Sequence, residues 1–522
     1  MTTNFGFLID NRKCIGCHAC STACKSENTV PVGVNRTWVK YTEKGVFPET
    51  RRYFQVTRCN HCANPPCVHI CPTGAMYQRR NGIVEFNRDA CIGCKACLQA
   101  CPYDAIYIDP DNHTAAKCHF CAHRLAVGLE PACVVVCPEH AILAGDLNDP
   151  RSEIARALAT QPVRVRKPEQ GTQPKLFYID AEEASIVPTL ASQAGGMLWA
   201  TRPDPAAGDW RGPIQVEAGS LAGALMRSAA APRETYNVPH RIPWHWQVPT
   251  YLVTKALGAG AFLIAALGTA LGLLPSVAFF TLLAPLLALV GIGLTTGLLV
   301  WDLDRPERFW TILIRPQWRS WLARGAVILI GFTAVAGLYF LAQALGFAVL
   351  AGWLAWPGVV LAGLAAVYTA FLFAQAEGRD LWQSALLPWH MLLQSILAGA
   401  AGLLIVAALA GGAFAPPPEA VRGLAWVLGL SLFASLLLTV GGEFGVRHAS
   451  QVAATAAHLI THGPYRRWYW ASLLVGLCLP LLIVLLTPSS RPLLALAGVL
   501  AVAGLFAYEW AFVMAPQQVP NN

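Results

Sequence analysis

The sequence predicts two unlike halves: an α+β domain of short strands and cysteine loops, built by duplication, followed by an all-α domain of eight transmembrane helices. Three observations predict it. Sixteen of the seventeen cysteines fall between Cys14 and Cys137. From Tyr251 onward, long apolar runs alternate with short arginine-bearing loops. Of the 522 residues only 13% are charged and 55% are hydrophobic, with a mean hydropathy of +0.45. A soluble chain of this length carries about twice that charged share.

The first domain spans residues 1–145 and its cysteines form four quartets. Cys14, Cys17, Cys20 and Cys24 read C-x2-C-x2-C-x3-C. Cys59, Cys62, Cys67 and Cys71 read C-x2-C-x4-C-x3-C-P. Cys91, Cys94, Cys97 and Cys101 repeat the first spacing and end at Pro102. Cys118, Cys121, Cys133 and Cys137 read C-x2-C-x11-C-x3-C-P. This is ferredoxin spacing: three close thiolates hold one [4Fe-4S] cluster, and the fourth reaches the neighbouring cluster. The quartets therefore predict four [4Fe-4S] clusters in a duplicated ferredoxin-like fold, with all sixteen cysteines as iron ligands.

If the first quartet pairs with the fourth and the second with the third, Cys137 joins Cys14, Cys17 and Cys20, and Cys24 joins Cys118, Cys121 and Cys133. Cys101 then joins Cys59, Cys62 and Cys67, and Cys71 joins Cys91, Cys94 and Cys97. Spacing alone does not select this pairing. A disulfide framework does not explain the recurring motif, and no signal peptide is expected before it. Structural zinc usually takes two separated C-x2-C pairs. The letters Cys14-Ile-Gly-Cys17-His18 match a haem attachment site, but Cys20 and Cys24 complete a ferredoxin quartet there.

Within this domain, Gly82-Ile-Val-Glu-Phe86 and Ala105-Ile-Tyr-Ile108 read as short strands between cysteine loops. Residues 146–244 read as an extended connector, because Pro150, Pro162, Pro168, Pro174, Pro203, Pro205 and Pro213 break any long helix. Disorder is the alternative for 190–235. Residues 245–522 form the membrane domain. Its spans fall at roughly 250–273, 277–301, 323–344, 350–375, 386–411, 422–441, 469–487 and 492–514, each near the 20 residues that cross a bilayer. Abundant Gly and Ala suit close helix packing in lipid.

An even span count puts the first domain on the same side as loops 2–3, 4–5 and 6–7. Those loops carry nine arginines (Arg305, Arg308, Arg315, Arg319, Arg324, Arg379, Arg447, Arg466 and Arg467), against Arg422 and Arg491 opposite. The excess predicts a multi-pass protein of the inner (cytoplasmic) membrane with its cluster domain facing the cytoplasm. The net charge of +8 is spread through such loops. No basic run with interleaved aromatics points to nucleic acid.

Ionisable residues in spans are functional suspects. Lys255, Asp302, Asp304, Glu377, Glu443 and Glu509 all fall toward the predicted cytoplasmic ends, as do His245, His390, His448, His458 and His462. No histidine pairs face each other at two depths, so no haem is expected. Electrons from the clusters would then leave through a lipid-soluble two-electron carrier, a quinone, held at the cytoplasmic ends of the spans where it would meet the cluster domain.

Its candidate residues are His245, Lys255, Asp302, Tyr368 and Glu377. Each has a plainer reading. Lys255 snorkels to the interface; Asp302 pairs with Arg305; Tyr368 is helix packing. His245 is an interfacial anchor beside Trp244 and Trp246; Glu377 pairs with Arg379. With no acidic chain reaching the outer side, the charge placement argues against proton pumping.

The four-quartet domain resembles the iron–sulfur subunit of complex molybdopterin oxidoreductases of the dimethyl sulfoxide and polysulfide reductase type. Gly145-Asp-Leu-Asn-Asp-Pro150, Val165-Arg-Lys-Pro168 and Gly171-Thr172 look like that subunit's tail. The second half resembles the NrfD/polysulfide reductase membrane subunit in Asp302-Leu-Asp-Arg-Pro-Glu-Arg-Phe-Trp310, Arg315-Pro316 and Arg319-Ser-Trp321. Further pieces are Tyr368-Thr369, Leu387-Pro-Trp389, Glu443 with His448, and Gly463-Pro-Tyr465.

The resemblance implies a quinone site built from the first and fourth spans, which His245 or Lys255 and Tyr368 would inherit. It also implies a separate molybdopterin subunit, carrying molybdenum or tungsten, as the catalytic partner. Two departures stand out: subunits usually separate are fused here, and polysulfide reductases place their cluster subunit outside the cytoplasm. The function expected is an electron-transfer and membrane-anchor subunit joining such a partner to the quinone pool. The alternatives are a component of a larger respiratory quinol oxidoreductase with cytochrome partners, or a transporter with a redox-sensing ferredoxin. The transporter predicts polar midplane residues that are scarce here.

Overall fold

The structure, a computed structural model, describes residues 3–46, 49–193 and 231–522. It falls into two compact units: Met1–Pro243 with Pro520–Asn522, and Trp244–Val519.

The first unit is organised on a four-stranded sheet. The apolar run Phe5–Asp10 is buried along almost its whole length, as a strand covered on both faces must be. It pairs in parallel with Leu176–Ile179, with Phe7 opposite Leu176. On its other side it runs antiparallel to Ile142–Asp146, and Val163–Arg164 completes the sheet. Helix Glu153–Thr160 starts at Ser152, whose hydroxyl accepts the Ala155 N–H at 3.2 Å. Such a cap contributes roughly 1 kcal/mol. The helix lays Ile154 against Leu8 and Ile179.

A second sheet is built on the ten-residue ladder between Thr37–Val46 and Glu49–Arg58, and Arg233–Tyr236 adds to its free edge. Two small hairpins, Met76–Gln78 with Val84–Phe86 and Ile106–Asp109 with Thr114–Lys117, contain the short strands read from the sequence. Met76, Ile106 and Ile142 each open a strand five residues after Cys71, Cys101 and Cys137. The repeat thus extends beyond the cysteines to the strand that follows them.

Residues 146–193 are more ordered than the extended connector expected from their prolines. They supply a helix and the buried strand Leu176–Ile179. The prolines interrupt long helices, yet Pro150 and Pro162 leave room between them for an eight-residue helix, and a four-residue strand follows Pro174. Most of the stretch 190–235 lies outside the described residues. Its described ends, Ser192–Gln193 and the strand from Arg233, pair in parallel.

The second unit holds eight helices long and apolar enough to cross a membrane. They are Gln247–Ala270, Phe279–Trp301, Trp321–Ala344, Ala348–Gln375, Leu387–Leu409, Pro418–Glu443, Arg466–Leu486 and Arg491–Gln518. The expected spans overlap each of these. Lipid offers no hydrophobic drive between helices, so close approach depends on small residues. A Cβ on Gly260 in the first helix would collide with the Ser395 carbonyl oxygen of the fifth. A Cβ on Gly504 in the eighth would collide with Gly476 Cα in the seventh. Beside these contacts Phe262, Phe332 and Tyr339 interlock, with the Phe262 and Phe332 rings edge to face at 5.4 Å.

Gly260→Ala should therefore destabilise the membrane unit by about 1–3 kcal/mol or more through overpacking. Gly363→Ala, where nothing lies within 4 Å, should change it by less than about 0.5 kcal/mol. Thermal unfolding of both variants in detergent, followed by size-exclusion chromatography, checks the contrast.

Candidate functional site

The cysteine loops owe their curvature to residues in the left-handed region. In Cys14-Ile-Gly-Cys-His-Ala-Cys20, Gly16 has φ 71° and His18 φ 62°; in Cys91-Ile-Gly-Cys-Lys-Ala-Cys97, Gly93 has φ 70° and Lys95 φ 61°. Two left-handed residues within three positions wrap the backbone, and the first of each pair is a glycine, which adopts that conformation without strain. Each loop then enters a helix, Ala19–Glu27 or Ala96–Ala100, that carries the quartet's third cysteine and leads to or through its fourth.

The fold brings cysteines from different quartets together. Cys14, Cys17 and Cys20 line one cavity with Cys137. Cys91, Cys94 and Cys97 line another with Cys71. The Asn28 amide points at both Cys24 and Cys121, 3.6 and 3.8 Å from their sulfurs, and Cys118 and Cys133 are also within electrostatic reach of Cys24. Cys59, Cys62 and Cys67 lie beside Cys101. These groupings match the crossed arrangement in which the first quartet pairs with the fourth and the second with the third. The groups also succeed one another: Cys20 neighbours Cys133, Cys118 neighbours Cys59, and Cys67 neighbours Cys97.

The thiols fit iron–sulfur ligation. None of the seventeen cysteines is in a disulfide. Among the described residues, no three His, Cys, Asp or Glu side chains close on a single-ion centre, whereas a cuboidal cluster sets its ligands at separate iron corners. Burial pushes the Cys20 and Cys101 thiols up to about 11 and Cys24 up to about 12. Thiolates held there require positive charge, which cluster iron supplies. Backbone N–H groups already point at sulfur: Ala141 donates to Cys137 at 3.2 Å, and Met76 to Cys71 at 3.5 Å.

In the second unit, Lys255 is 2% exposed although it lies in an apolar helix. Its Nζ donates to Thr369 Oγ1 at 2.6 Å and to the Ala366 carbonyl at 3.2 Å, and sits 4.7 Å from the centre of the Tyr368 ring. Tyr251 bonds Thr369 and faces Tyr368 and Asp302. Tyr251 thus stands between the Lys255–Tyr368 pair of the first and fourth helices and Asp302 at the end of the second. His245 lies in the turn before the first helix, where its carbonyl accepts the Val248 N–H at 3.2 Å. The helix begins at Gln247, roughly 12 Å along the axis from Lys255, and His245 lies two residues before that start. The fourth helix ends at Gln375, about 10 Å beyond Tyr368 by the same rise, and Glu377 follows two residues later; burial alone pushes its carboxyl up. Arg379 donates to the Pro516 and Val519 carbonyls at 3.4 and 3.3 Å.

A second polar group adjoins the first. His390 Nδ1 lies 3.1 Å from Glu443 Oε2, and the Tyr508 hydroxyl lies 3.4 Å from the same oxygen. Glu509 is bonded by Gln394 and faces Lys255, His390 and Glu443. Glu443 Oε1 and Glu509 Oε2 are buried without a hydrogen-bond partner among the described residues. Glu443 closes the π-helical turn Leu438–Glu443, and such turns often mark functional positions.

Residues 234–521 match the family model described as Polysulphide reductase, NrfD. The protein belongs to the NrfD polysulphide reductase family. Residues 13–76 and 50–147 each match a 4Fe-4S dicluster domain. It is 44% identical over 199 residues to a tetrathionate reductase subunit of Salmonella typhimurium, a match covering 37% of this chain and 79% of that one. Over 191 residues it is 44% identical to a polysulfide reductase chain of Wolinella succinogenes, covering 36% and 99%. Over 222 residues it is 36% identical to the arsenate respiratory reductase iron-sulfur subunit of a Shewanella species, covering 33% and 95%. This NrfD-family protein is therefore an iron–sulfur electron-transfer subunit fused to a multi-pass membrane domain.

Sequence reasoning placed His390, Glu443 and Glu509 at one end of the NrfD domain but did not join them, quoted Thr369 only beside Tyr368 in the family pattern, and missed Tyr251 and Tyr508. Hydroxyl-bearing residues in an apolar span carry no charge to single them out; only helix packing shows which of them meet a lysine or a glutamate.

Crossed ligation has a direct test. Cys24→Ser should remove the same cluster as Cys121→Ser, and Cys20→Ser the same as Cys137→Ser, each at a cost of about four of roughly sixteen irons. Iron analysis with EPR of the reduced variants reads this out. If Cys20→Ser and Cys24→Ser remove one and the same signal, the crossing is wrong.

Proposed function

We propose that four [4Fe-4S] clusters, held by the sixteen cysteines in the groups above, relay electrons between a separate molybdopterin subunit and a quinone bound in the NrfD domain. The succession of the four thiol groups supports a single electron path. Its order runs from the Cys14 group to the Cys118 group, the Cys59 group and the Cys91 group. The relatives named as subunits of tetrathionate, polysulfide and arsenate reductases support a catalytic partner that reduces or oxidises a small substrate. The arginine asymmetry of the loops supports an inner-membrane protein with its clusters on the cytoplasmic side.

The observation that carries the quinone assignment is Lys255, a buried donor set between Thr369 and the Tyr368 ring. A quinone needs an apolar slot, donors for its oxygens and protons to accompany two electrons. Lys255 and Tyr368 supply the donors, and Asp302 and Tyr251 border them. Glu509, His390 and Glu443 extend the polar path toward the loop that follows the sixth helix. His245 and Glu377 stand at the mouth, as residues of the entrance rather than of the redox centre.

Gentle purification from native membranes should yield about sixteen irons per chain, together with molybdenum or tungsten in a large second subunit. Iron without either metal, or haem in a co-purifying chain, would replace the molybdopterin partner by a cytochrome. Lys255→Met should lower quinone-coupled turnover roughly 100-fold, the scale of a lost proton donor. Iron content and cluster reduction by a soluble donor should stay as in the parent. Unchanged quinone turnover in this variant would move the quinone elsewhere.

A further inference from the structure

Arg58 is the last residue of the strand Glu49–Arg58 and directly precedes Cys59. Its side chain is 0% exposed. Nη1 donates to Cys133 Sγ at 2.9 Å, and the same guanidinium faces Cys20 and Cys118. Phe7 closes one side, with its ring centre 4.6 Å from Cζ. Nε and Nη2 have no acceptor among the described residues. A cation fully withdrawn from water, with donors unused, is costly unless an anion and acceptors stand next to it. Here the anionic neighbours are cysteines of two thiol groups: Cys133 and Cys118 belong to one, and Cys20 belongs to the other.

We propose that Arg58 is a potential-setting residue shared by two adjacent clusters, one ligated by Cys24, Cys118, Cys121 and Cys133 and the other by Cys14, Cys17, Cys20 and Cys137. The proposal rests on the cluster grouping given above. Adding an electron to a thiolate-ligated cluster adds one negative charge, so a fixed positive charge and a hydrogen bond to ligand sulfur favour the reduced form. Arg58 raises both potentials, and more strongly for the cluster of Cys133, which it touches. Lying between the two, it attracts an electron onto either, and so offsets for both the cost of taking an electron beside a reduced neighbour. Arginine does not deprotonate in a protein, so the setting holds across pH. Lys117, another wholly buried cation of this unit, directs its ammonium to the Val84 and Cys118 carbonyls at 2.5 and 2.9 Å and makes no such bond to sulfur.

The test is an EPR-monitored redox titration of the full-length protein with Arg58→Met and Arg58→Lys. Arg58→Met should lower the potentials of these two clusters so that the reduced-to-oxidised ratio at fixed potential falls at least tenfold, 59 mV for a one-electron couple. The other two clusters should stay in place and iron content should be unchanged. Arg58→Lys, which keeps the charge and loses the planar fork, should restore the Cys20 cluster nearly fully and the Cys133 cluster only in part. If Arg58→Met does not retain iron, Arg58→Gln carries the same expectation for the Cys20 cluster. Iron-loaded variants with all potentials unchanged, or with all four shifted equally, overturn the proposal. Cys20→Ser and Cys24→Ser assign the signals independently, so a wrong grouping is recognised apart from a wrong role for Arg58.

Discussion

Burying thiolate sulfur is the constraint on which the first unit depends. Its cysteines sit in loops whose helices run from four to nine residues, shorter than isolated helices can hold. Its small hairpins have strands of three or four residues. Elements this short bury little apolar area each. Iron ligation takes over part of what a hydrophobic core does elsewhere, because a cluster binds the folded arrangement and not the open chain. The crossed arrangement adds to this. When the last cysteine of one quartet closes the cluster of another, neither half of the duplication is complete alone, and the polypeptide from Cys14 to Cys137 is tied into one body.

The second unit is held by the opposite chemistry. Glycine and alanine let backbones touch, so the bundle tolerates few polar side chains and places them where a partner waits. Lys255 has Thr369 and the Ala366 carbonyl; His390 has Glu443 and Tyr508. Spans alternate in direction, so the early part of the first and fifth helices and the late part of the fourth, sixth and eighth share one end of the bundle. All these residues fall there. The far end is apolar by comparison.

How much of this the sequence discloses depends on the range of the interaction. The cysteine quartets are local patterns with fixed spacing, so their chemistry is legible by inspection, and so are eight spans from hydropathy alone. Lys255 and Tyr368 stood out, the first as a charge in an apolar run and both by their place in the family pattern. Tyr251 and Tyr508 did not, and Thr369 entered only as the neighbour of Tyr368 in that pattern, because a hydroxyl in a helix has no signature until its neighbour from another helix is known. The strand Leu176–Ile179 was hidden by surrounding prolines, which argue against helix but say nothing about a four-residue strand. Arg58 was invisible for the same reason as Tyr251: its partners, Cys20, Cys118 and Cys133, come from two other quartets.

The position of Arg58 bears on a mismatch built into any such relay. Clusters of this kind pass one electron at a time, whereas a quinone and the small substrates of the related reductases take two. A path of four centres meets this demand best if two neighbours can be reduced together. Mutual repulsion between adjacent reduced clusters works against that, and the repulsion is strongest in a dry interior. A permanent cation between them offsets it without a proton or a conformational change. On this view the residue before Cys59 is not an accessory of the second quartet. It is the device by which the first and fourth quartets hold two electrons ready at one end of the path.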